Sequence, residues 1–172
     1  MGGKARGFLV DLPDRRLHVA AAEFIRTHPG VVPIERPMTD FSTMRLPVDR
    51  DVIAPDGSDV RVLLGLAGGG MAHFQLAPGE TSIAVAHKAV EEIWFFLGGQ
   101  GEMWRRQGDR EEIVAVDRGV CITIPQATHF QFRSLGGEPL TALGVTMPPW
   151  PGEGEAFAVE GKWTPTVRRS PN

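Results

Sequence analysis

The stretch PGETSIAVAHKAVEEIWFFLGGQG, from Pro78 to Gly101, decides the fold of this chain. Its first half is a run of residues with strand-like alternation that ends at His87. Its second half begins at Glu92 and continues with large apolar residues. Only four residues separate the histidine from the glutamate, so a tight connection would join two successive strands. The stretch therefore predicts a pair of β-strands whose polar ends are turned towards one point.

The same strand character continues through residues 60–147. Short runs rich in β-branched and aromatic residues recur about every ten residues, separated by Gly, Pro or Asp, which is typical of an antiparallel sandwich or barrel. The nine predicted strands are VRVLLGLA, MAHFQLA, SIAVAH, EIWFFLG, GEMWRRQ, EEIVAVD, VCITIP, HFQFRS and LTALGVTM. We therefore predict an all-β barrel over this range.

Two segments flank the predicted barrel. Residues 1–59 are expected to hold a short helix, Leu17–His28, followed by a proline-rich extended arm that packs on the barrel. Such an arm could be exchanged between two subunits. Residues 148–172 are expected to form an irregular wrap, with Trp150 and Trp163 anchored on the barrel wall.

Composition narrows the class of protein. A length of 172 residues favours a single domain, and a formal net charge of -3 provides no basic field for nucleic acid or an anionic membrane. No apolar run approaches membrane-spanning length. The single cysteine, Cys121, is expected to be a buried, inert thiol and fits a reducing compartment. These features predict a cytoplasmic protein whose partner is a small molecule or another protein.

His87 and Glu92 are predicted to enter the barrel among apolar neighbours. Side chains alternate along a strand, so His87 shares its face with Val85, and Glu92 shares its face with Trp94 and Phe96. Taken alone, either residue has an ordinary explanation, as a hydrogen-bonded wall histidine or a surface acid. An unpaired buried carboxylate is costly, however, so the joint placement indicates a ligand or a strong partner.

His129 is the third candidate, because it shares a face with Gln131 in the strand HFQFRS. Two imidazoles and one carboxylate match the donor set typical of non-haem Fe(II), and Zn, Mn or Ni would also accept it. We therefore predict that His87, Glu92 and His129 are the metal-binding and catalytic residues. The predicted substrate pocket is lined by Val85, Trp94, Phe96, Met103 and Gln131.

The opening stretch resembles the first motif of the cupin superfamily, G-x5-H-x-H-x3-4-E-x6-G. The motif positions that this chain matches are Gly79, His87, Glu92 and Gly99. Val85 departs from the motif, since it stands where the family usually has its first histidine.

The second cupin motif, G-x5-P-x-G-x2-H-x3-N, is approximated further along the chain. The corresponding residues are Gly119, Pro125, Ala127, His129 and Arg133. Alanine replaces the second glycine, the histidine arrives one residue early, and arginine replaces the asparagine. The resemblance covers roughly residues 60–147.

The resemblance implies a single-domain double-stranded β-helix, that is, a jelly-roll barrel. Members of the superfamily are commonly dimeric, and many bind one metal through three histidines and one glutamate. Carried over residue by residue, this implies a homodimer in which His87, Glu92 and His129 hold a divalent metal, Fe, Mn, Zn or Ni. His73, Gln75 or Gln131 could complete the shell in place of the missing histidine.

Two functions remain open at this point, because this fold hosts many chemistries. The first is a metal-dependent enzyme, an oxidoreductase or isomerase with dioxygenase-like chemistry preferred, that acts on a small organic molecule. The second is a non-catalytic module that binds a small molecule, for example a sugar, and whose metal site is degenerate or empty. In that case, the histidines and the glutamate would act only as hydrogen-bonding groups.

Overall fold

The structure is a computed structural model that describes residues 40–167. The chain divides into two units, Met1–Phe41 and Ser42–Asn172, and every element given below belongs to the second unit. The predicted helix Leu17–His28 lies outside the described residues.

Residues 40–167 form eleven β-strands and no helix, so none of them builds a helix that is long and apolar enough to cross a membrane. All nine predicted strands are present, with ends shifted by up to three residues, and two short strands are added in the flanking segments. The strands are β1 (Val52–Ile53), β2 (Asp59–Leu66), β3 (Gly69–Leu76), β4 (Val85–His87), β5 (Glu91–Gly98), β6 (Gln100–Gln107), β7 (Arg110–Asp117), β8 (Cys121–Ile124), β9 (His129–Ser134), β10 (Leu140–Met147) and β11 (Ala156–Ala158).

The strands build two antiparallel sheets. The six-stranded sheet has the order β1-β2-β3-β10-β5-β8, and the five-stranded sheet has the order β11-β4-β9-β6-β7. The chain passes from one sheet to the other between β3 and β4, β4 and β5, β5 and β6, β7 and β8, β8 and β9, β9 and β10, and β10 and β11. Repeated crossing of this kind produces a jelly roll, so the predicted all-β barrel is confirmed.

The core lies between the two sheets and is rich in aromatic side chains. Phe74 and Trp94 stack at a centroid distance of 4.5 Å, and Gly144 on β10 leaves the room that this stack needs. The largest fully buried core side chains are Trp94, Phe96, Phe130, Phe132, Leu76, Met103 and Ile124. Their inward positions follow the strand alternation that the sequence predicts.

Cys121 is exposed, so the prediction of a buried thiol is wrong. The run VCITI is apolar throughout, and its composition therefore does not reveal which residues point inward. In β8, Ile122 and Ile124 fill the core, and the alternation leaves Cys121 on the outer face of the six-stranded sheet.

The C-terminal segment contacts the barrel through both predicted anchors. The backbone N–H of Trp163 donates to Gln131 Oε1 over 2.9 Å, and its ring lies 4.4 Å from the Arg133 guanidinium carbon. The ring of Trp150 lies edge-on to His87, with centroids 5.4 Å apart. The segment thus covers both the outside of the five-stranded sheet and one end of β4.

The two glycines of the first motif allow a test of the turn geometry. Gly79 and Gly99 have φ angles of 74° and 77°, a region that costs other residues about 1–2 kcal/mol. A Cβ on Gly79 would meet open space, whereas one on Gly99 would overlap the carbonyl oxygen of Pro139 and lie 2.7 Å from Leu140 Cα.

We expect Gly79→Ala to lower the free energy of unfolding by about 1–2 kcal/mol, the cost of the backbone conformation. Gly99→Ala should cost about 1–3 kcal/mol more, because the neighbouring backbone must also shift. Urea unfolding monitored by tryptophan fluorescence measures both values. Equal losses in the two variants would contradict the close approach at Gly99.

Candidate functional site

His87 ends β4 and is buried among aromatic rings. Its ring centroid lies 5.2 Å from that of Phe130 and 5.4 Å from that of Trp150. Burial lowers the pKa of His87 to about 4, and the negative charge of Glu155 only partly opposes this. The imidazole is therefore uncharged at neutral pH, and its buried Nδ1 has no hydrogen-bond partner among the described residues.

Glu155 shapes the turn between β4 and β5, a role that the sequence analysis missed. Its Oε1 accepts hydrogen bonds from the backbone N–H groups of Ala89 and Val90, at 2.6 and 2.9 Å. Its carbonyl oxygen accepts from the N–H of Lys88 at 3.1 Å. These contacts fix the short connection that places His87 and Glu92. Since the partners are backbone groups distant in the chain, no residue pattern pointed to them.

Glu92 lies inside the barrel as predicted and is only 3 % exposed. Its Oε2 accepts a hydrogen bond of 2.8 Å from the indole N–H of Trp94. Burial raises the pKa of Glu92 to about 8; the bond from Trp94 opposes the rise, and the nearby buried carboxyl of Asp56 adds to it. At neutral pH the side chain is thus mostly a neutral acid, and the cost of burying its charge is avoided by protonation.

His129 does not join the other two residues, so the predicted convergence of three side chains is wrong. In β9, Phe130 pairs with Val85 on one side and with Arg105 on the other, and its ring packs in the core. The alternation turns His129 to the opposite face, where its Nδ1 lies 3.2 Å from Arg106 Nη2. Its pKa is lowered by desolvation and by the Arg106 charge, which leaves a neutral ring that accepts from the guanidinium.

Gln131 is also on the outer side of β9, so its predicted place in the substrate pocket is wrong. Its side chain is fully buried beneath the C-terminal segment. The amide donates to the carbonyl oxygens of Ser82 and Trp163, at 2.7 and 2.9 Å, and accepts from the Trp163 N–H. It therefore joins the C-terminal segment to the sheet.

The other predicted pocket residues lie inside the barrel. Val85, Trp94, Phe96 and Met103 belong to the buried core, where they pack against one another and their neighbours. His73 and Gln75 share a face, as expected, but it is the outer face of the six-stranded sheet. This follows because the intervening Phe74 and the next residue, Leu76, point into the core. His73 therefore does not complete a shell around His87.

A divalent metal does not fit the residues that the barrel presents. Within residues 40–167, no group of three or more His, Cys, Asp or Glu side chains could hold an ion. The positions where the cupin motifs place two of the histidines hold Val85 and Phe130, both 1 % exposed and packed in the core. Glu92, the carboxylate donor, is mostly protonated and already bonded to Trp94.

A groove with a volume of about 370 Å³ lies beside this interior, at β6, β7 and the segment that precedes β9. This volume falls in the range of small-molecule sites. The groove is lined by Arg105, Arg106, Gln107, Asp109, Arg110, Glu111, Glu112, Thr123, Pro125 and Thr128. Arg105 pairs with Phe130 in the sheet, and Phe130 pairs with Val85 on its other side.

Arg105 and Thr128 are the two buried polar groups of the groove that keep unused hydrogen-bonding capacity. Arg105 donates through Nη1 to the carbonyl oxygen of Thr123, and its Nη2 lies 2.7 Å from Glu112 Oε1. Its Nε has no partner among the described residues, and neither has the hydroxyl of Thr128, a residue only 3 % exposed. Such groups are rare in native proteins and call for an explanation.

The sequence analysis missed this groove, although one signal for it was present. In the strand GEMWRRQ, Arg105 lies two residues after Met103, and side chains two residues apart share a face. An inward Met103 therefore places Arg105 on the inward face as well. Thr128 offered no comparable signal, because its orientation depends on the loop before β9. There Ala127 adopts a φ of 61°, at the position where the second cupin motif has glycine.

Comparison with known proteins is informative at the level of structure. No family model matches the sequence, and no curated protein matches it. A recombinant oxalate oxidase in complex with glycolate matches at 21 % identity and a TM-score of 0.56, over 74 % of this chain and 68 % of that one. The formate complex of Lactobacillus farciminis oxalate decarboxylase matches at 18 % identity and a TM-score of 0.53, over 59 % of this chain and 31 % of that one.

A third match is an uncharacterised conserved protein from Klebsiella pneumoniae with a double-stranded β-helix domain. It has 17 % identity and a TM-score of 0.50, over 60 % of this chain and 85 % of that one. At these identities the three matches show a shared fold alone, the double-stranded β-helix. The chain spans less than a third of the decarboxylase and a larger part of the other two.

The buried acid predicts how stability depends on pH. The folded pKa of Glu92, about 8, lies above the ordinary value of 4.5, so the folded state holds a proton that the unfolded chain has released between these values. The free energy of unfolding then falls as pH rises, by about 1.4 kcal/mol per pH unit. Below pH 6.5, His87 has the opposite effect, because its pKa is lowered. The net fall is therefore expected between pH 6.5 and 8.

We expect Glu92→Gln to reduce this fall by the share that Glu92 contributes, because the amide oxygen can still accept from Trp94 and has no proton to lose. Urea unfolding across this pH range measures the slope for each protein. Glu91→Gln, which changes the exposed neighbouring residue, serves as the matched control and should keep the wild-type slope. An unchanged slope in Glu92→Gln would show that the carboxyl is not the titrating group.

The apolar residues at the motif positions predict how metal binding could be introduced. The purified protein is expected to bind no stoichiometric Mn²⁺, Fe²⁺, Ni²⁺ or Zn²⁺ in the barrel, and His129→Ala should leave its metal content unchanged. The double variant Val85→His with Phe130→His should gain metal, because it places two imidazoles beside His87 and Glu92. Elemental analysis measures this gain, and circular dichroism checks that the variant is folded. A wild-type ion that is lost in His129→Ala would contradict the geometry.

Proposed function

The chain has the fold of the cupin superfamily, and from this premise we propose that it is a small-molecule-binding protein that takes a small carboxylate in the groove at Arg105 and Thr128. The observation that carries the proposal is the pair of buried, unpartnered donors in one groove wall. This is the non-catalytic alternative that the sequence leaves open, with the site moved from the barrel interior to the groove.

The chemistry of the two donors supports a carboxylate. A carboxylate carries two acceptor oxygens, and a guanidinium and a hydroxyl can each donate to one of them. Binding would supply the partner that Arg105 Nε and Thr128 Oγ1 lack, which relieves the cost of leaving buried donors unpaired. A ligand without an acceptor would leave that cost in place.

The charged side chains around the groove are mostly paired with one another. Glu112 is paired with Arg105, and Glu111 is paired with Lys162 at 2.7 Å and accepts from the indole N–H of Trp104. Arg106 contacts a neutral ring nitrogen of His129 and pairs with Glu111 across β6 and β7. The lining balances three arginines against three acids, so an anion would depend on the unpartnered donors and not on a net charge of the groove.

Two structures with this fold bind ligands of the same chemical class. The oxalate oxidase structure is a complex with glycolate, and the oxalate decarboxylase structure is a formate complex. Both ligands are small carboxylates. The likeness extends only to the fold, so it supports the choice of probes rather than an activity.

A metal-dependent, dioxygenase-like reaction is the second candidate that the sequence raises. It requires that His87, Glu92 and His129 surround one ion, and the outward position of His129 counts against it. If the double variant Val85→His with Phe130→His gains metal and the wild-type protein binds none, the wild-type donor set is incomplete. The carboxylate proposal does not depend on that outcome.

We expect glycolate and formate to bind the wild-type protein, and Thr128→Val to weaken binding about 10- to 100-fold, since a hydrogen bond to a charged group contributes about 1.5–3 kcal/mol. The same change should leave the ligand-free protein equally stable or more stable, because the hydroxyl has no partner to lose. Isothermal titration calorimetry measures affinity, and thermal unfolding measures stability.

The neutral amide glycolamide and the variant Thr141→Val are the controls. Glycolamide should bind more weakly than glycolate, and Thr141→Val, on the outer face of the six-stranded sheet, should keep wild-type affinity. Equal binding of glycolate and glycolamide would contradict the carboxylate assignment. A Thr128→Val protein that loses stability but keeps its affinity would place the site elsewhere.

A further inference from the structure

A second groove lies on the outer face of the six-stranded sheet and has a volume of about 250 Å³. Seven of its eight lining residues are leucine or methionine, and the eighth is His73. Its floor is formed by Met71 and His73 of β3, Leu143 of β10 and Leu97 of β5. It shares no lining residue with the groove at β6 and β7, so the two are separate sites. We call it the apolar groove.

The walls of the apolar groove come from two segments beside this floor. Met44 and Leu46 line it from the chain that precedes β1, and Leu63 and Leu64 line it from β2, where the pairing with β3 shifts in register. Met44, Leu46 and Leu64 remain exposed, so they keep apolar surface that a ligand would cover. The feature is therefore a cleft with walls and not a bare sheet surface.

Arg61 lies at the edge of the apolar groove, where it holds the chain that precedes β1. Its Nε donates to the carbonyl oxygen of Pro47 over 3.0 Å, and its Nη2 donates to that of Val48 over 2.9 Å. Both acceptors are neutral, and within residues 40–167 no carboxylate forms an ion pair with this guanidinium. A guanidinium carries five N–H groups, so Arg61 keeps both its charge and further donors for an anion.

His73 is the polar residue of the floor and pairs with Arg61 across β2 and β3. It is only 5 % exposed, and its buried Nδ1 has no hydrogen-bond partner among the described residues. Burial and, to a smaller extent, the charge of Arg61 lower the pKa of His73, so its ring is mostly neutral at pH 7. A buried polar atom without a partner is costly and calls for an explanation.

We propose that the apolar groove binds a medium-chain fatty acid, with its carboxylate at Arg61 and His73 and its alkyl chain along the leucine and methionine side chains. The carboxylate would meet a cation that no described acid neutralises, and it would accept from the histidine ring. Leucine and methionine side chains offer an alkyl chain apolar contact and adapt to its shape.

The volume of the apolar groove sets the length of the chain. At about 30 Å³ for a group the size of a water molecule, 250 Å³ holds about eight such groups. A methylene is of similar size, so octanoate is the probe that suits the groove. Formate and glycolate, the probes for the groove at β6 and β7, have no alkyl chain and should not compete with it.

Isothermal titration calorimetry with the full chain tests the head and the chain of the ligand separately. Octanoate should bind, and hexanoate should bind about 10- to 20-fold more weakly, because each methylene contributes about fourfold to affinity. The alcohol 1-octanol has a similar chain but no charge and should bind about 10- to 100-fold more weakly than octanoate.

Two pairs of variants test the location. Met71→Trp fills the apolar groove and should weaken octanoate binding at least about 10-fold, whereas Leu135→Trp, at an exposed residue after β9, should not. Arg61→Gln should weaken octanoate about 10- to 100-fold and leave 1-octanol unchanged. Arg50→Gln makes the same change of charge at an arginine that pairs with Asp59, and it should keep wild-type affinity. Circular dichroism checks that each variant is folded.

Several results would overturn the proposal. Equal affinity for octanoate and 1-octanol, or an equal loss of both in Arg61→Gln, would exclude a carboxylate at Arg61. Octanoate binding that Thr128→Val weakens and Met71→Trp does not would place the fatty acid in the groove at β6 and β7. No binding of octanoate, or an affinity that falls as the protein concentration rises, would assign the apolar groove to another segment of the chain or to a second copy.

Discussion

The pairing of β9 with β4 and β6 is the constraint on which the interior of this barrel depends. Val85 faces Phe130 and Phe130 faces Arg105, so a continuous row of apolar and cationic side chains replaces the ring of donors that the cupin motifs describe. Since side chains alternate along a strand, a shift of one residue reverses every orientation. One position in the sequence therefore decides whether an imidazole or a phenyl ring enters the core, and here it is the ring.

The sequence predicted the fold well because its signals are local and repeated. Nine runs with turn residues between them marked nine strands, and Gly79 and Gly99 fall at turns with positive φ. The candidate site was predicted less well, because it depends on register. Glu92 lies inside as expected, whereas His129 lies outside, and the departure of His129 by one residue from the second motif was the sign of this. The composition of the apolar run around Cys121 did not reveal which of its residues point into the core.

Burial favours the uncharged form of each titratable group in the interior. Burial raises the pKa of Glu92 and of Asp56, and it lowers the pKa of His87. Asp56 accepts hydrogen bonds from the N–H and hydroxyl of Ser58, at 2.8 and 2.6 Å. A barrel that bound a cation would need at least one of these carboxyls ionised. The cationic side chains Arg105 and Arg106 instead line the groove, where they lie next to solvent and to the acidic residues with which they pair.

The strand β5 is apolar on both faces, because Trp94 and Phe96 fill the core while Ile93, Phe95 and Leu97 are partly exposed on the other side. This composition has a consequence before the chain is folded. The run IWFFL has high β-propensity and no charge, which is the composition of segments that aggregate when exposed. Glu91 and Glu92 directly precede it and act as gatekeepers in the nascent chain, where a glutamate has its ordinary pKa and is ionised at neutral pH. In the unfolded chain, the charge of Glu92 thus repels other unfolded chains. Glu92 loses that charge when it enters the barrel. The same carboxyl therefore protects the chain against misassembly and is tolerated in its core.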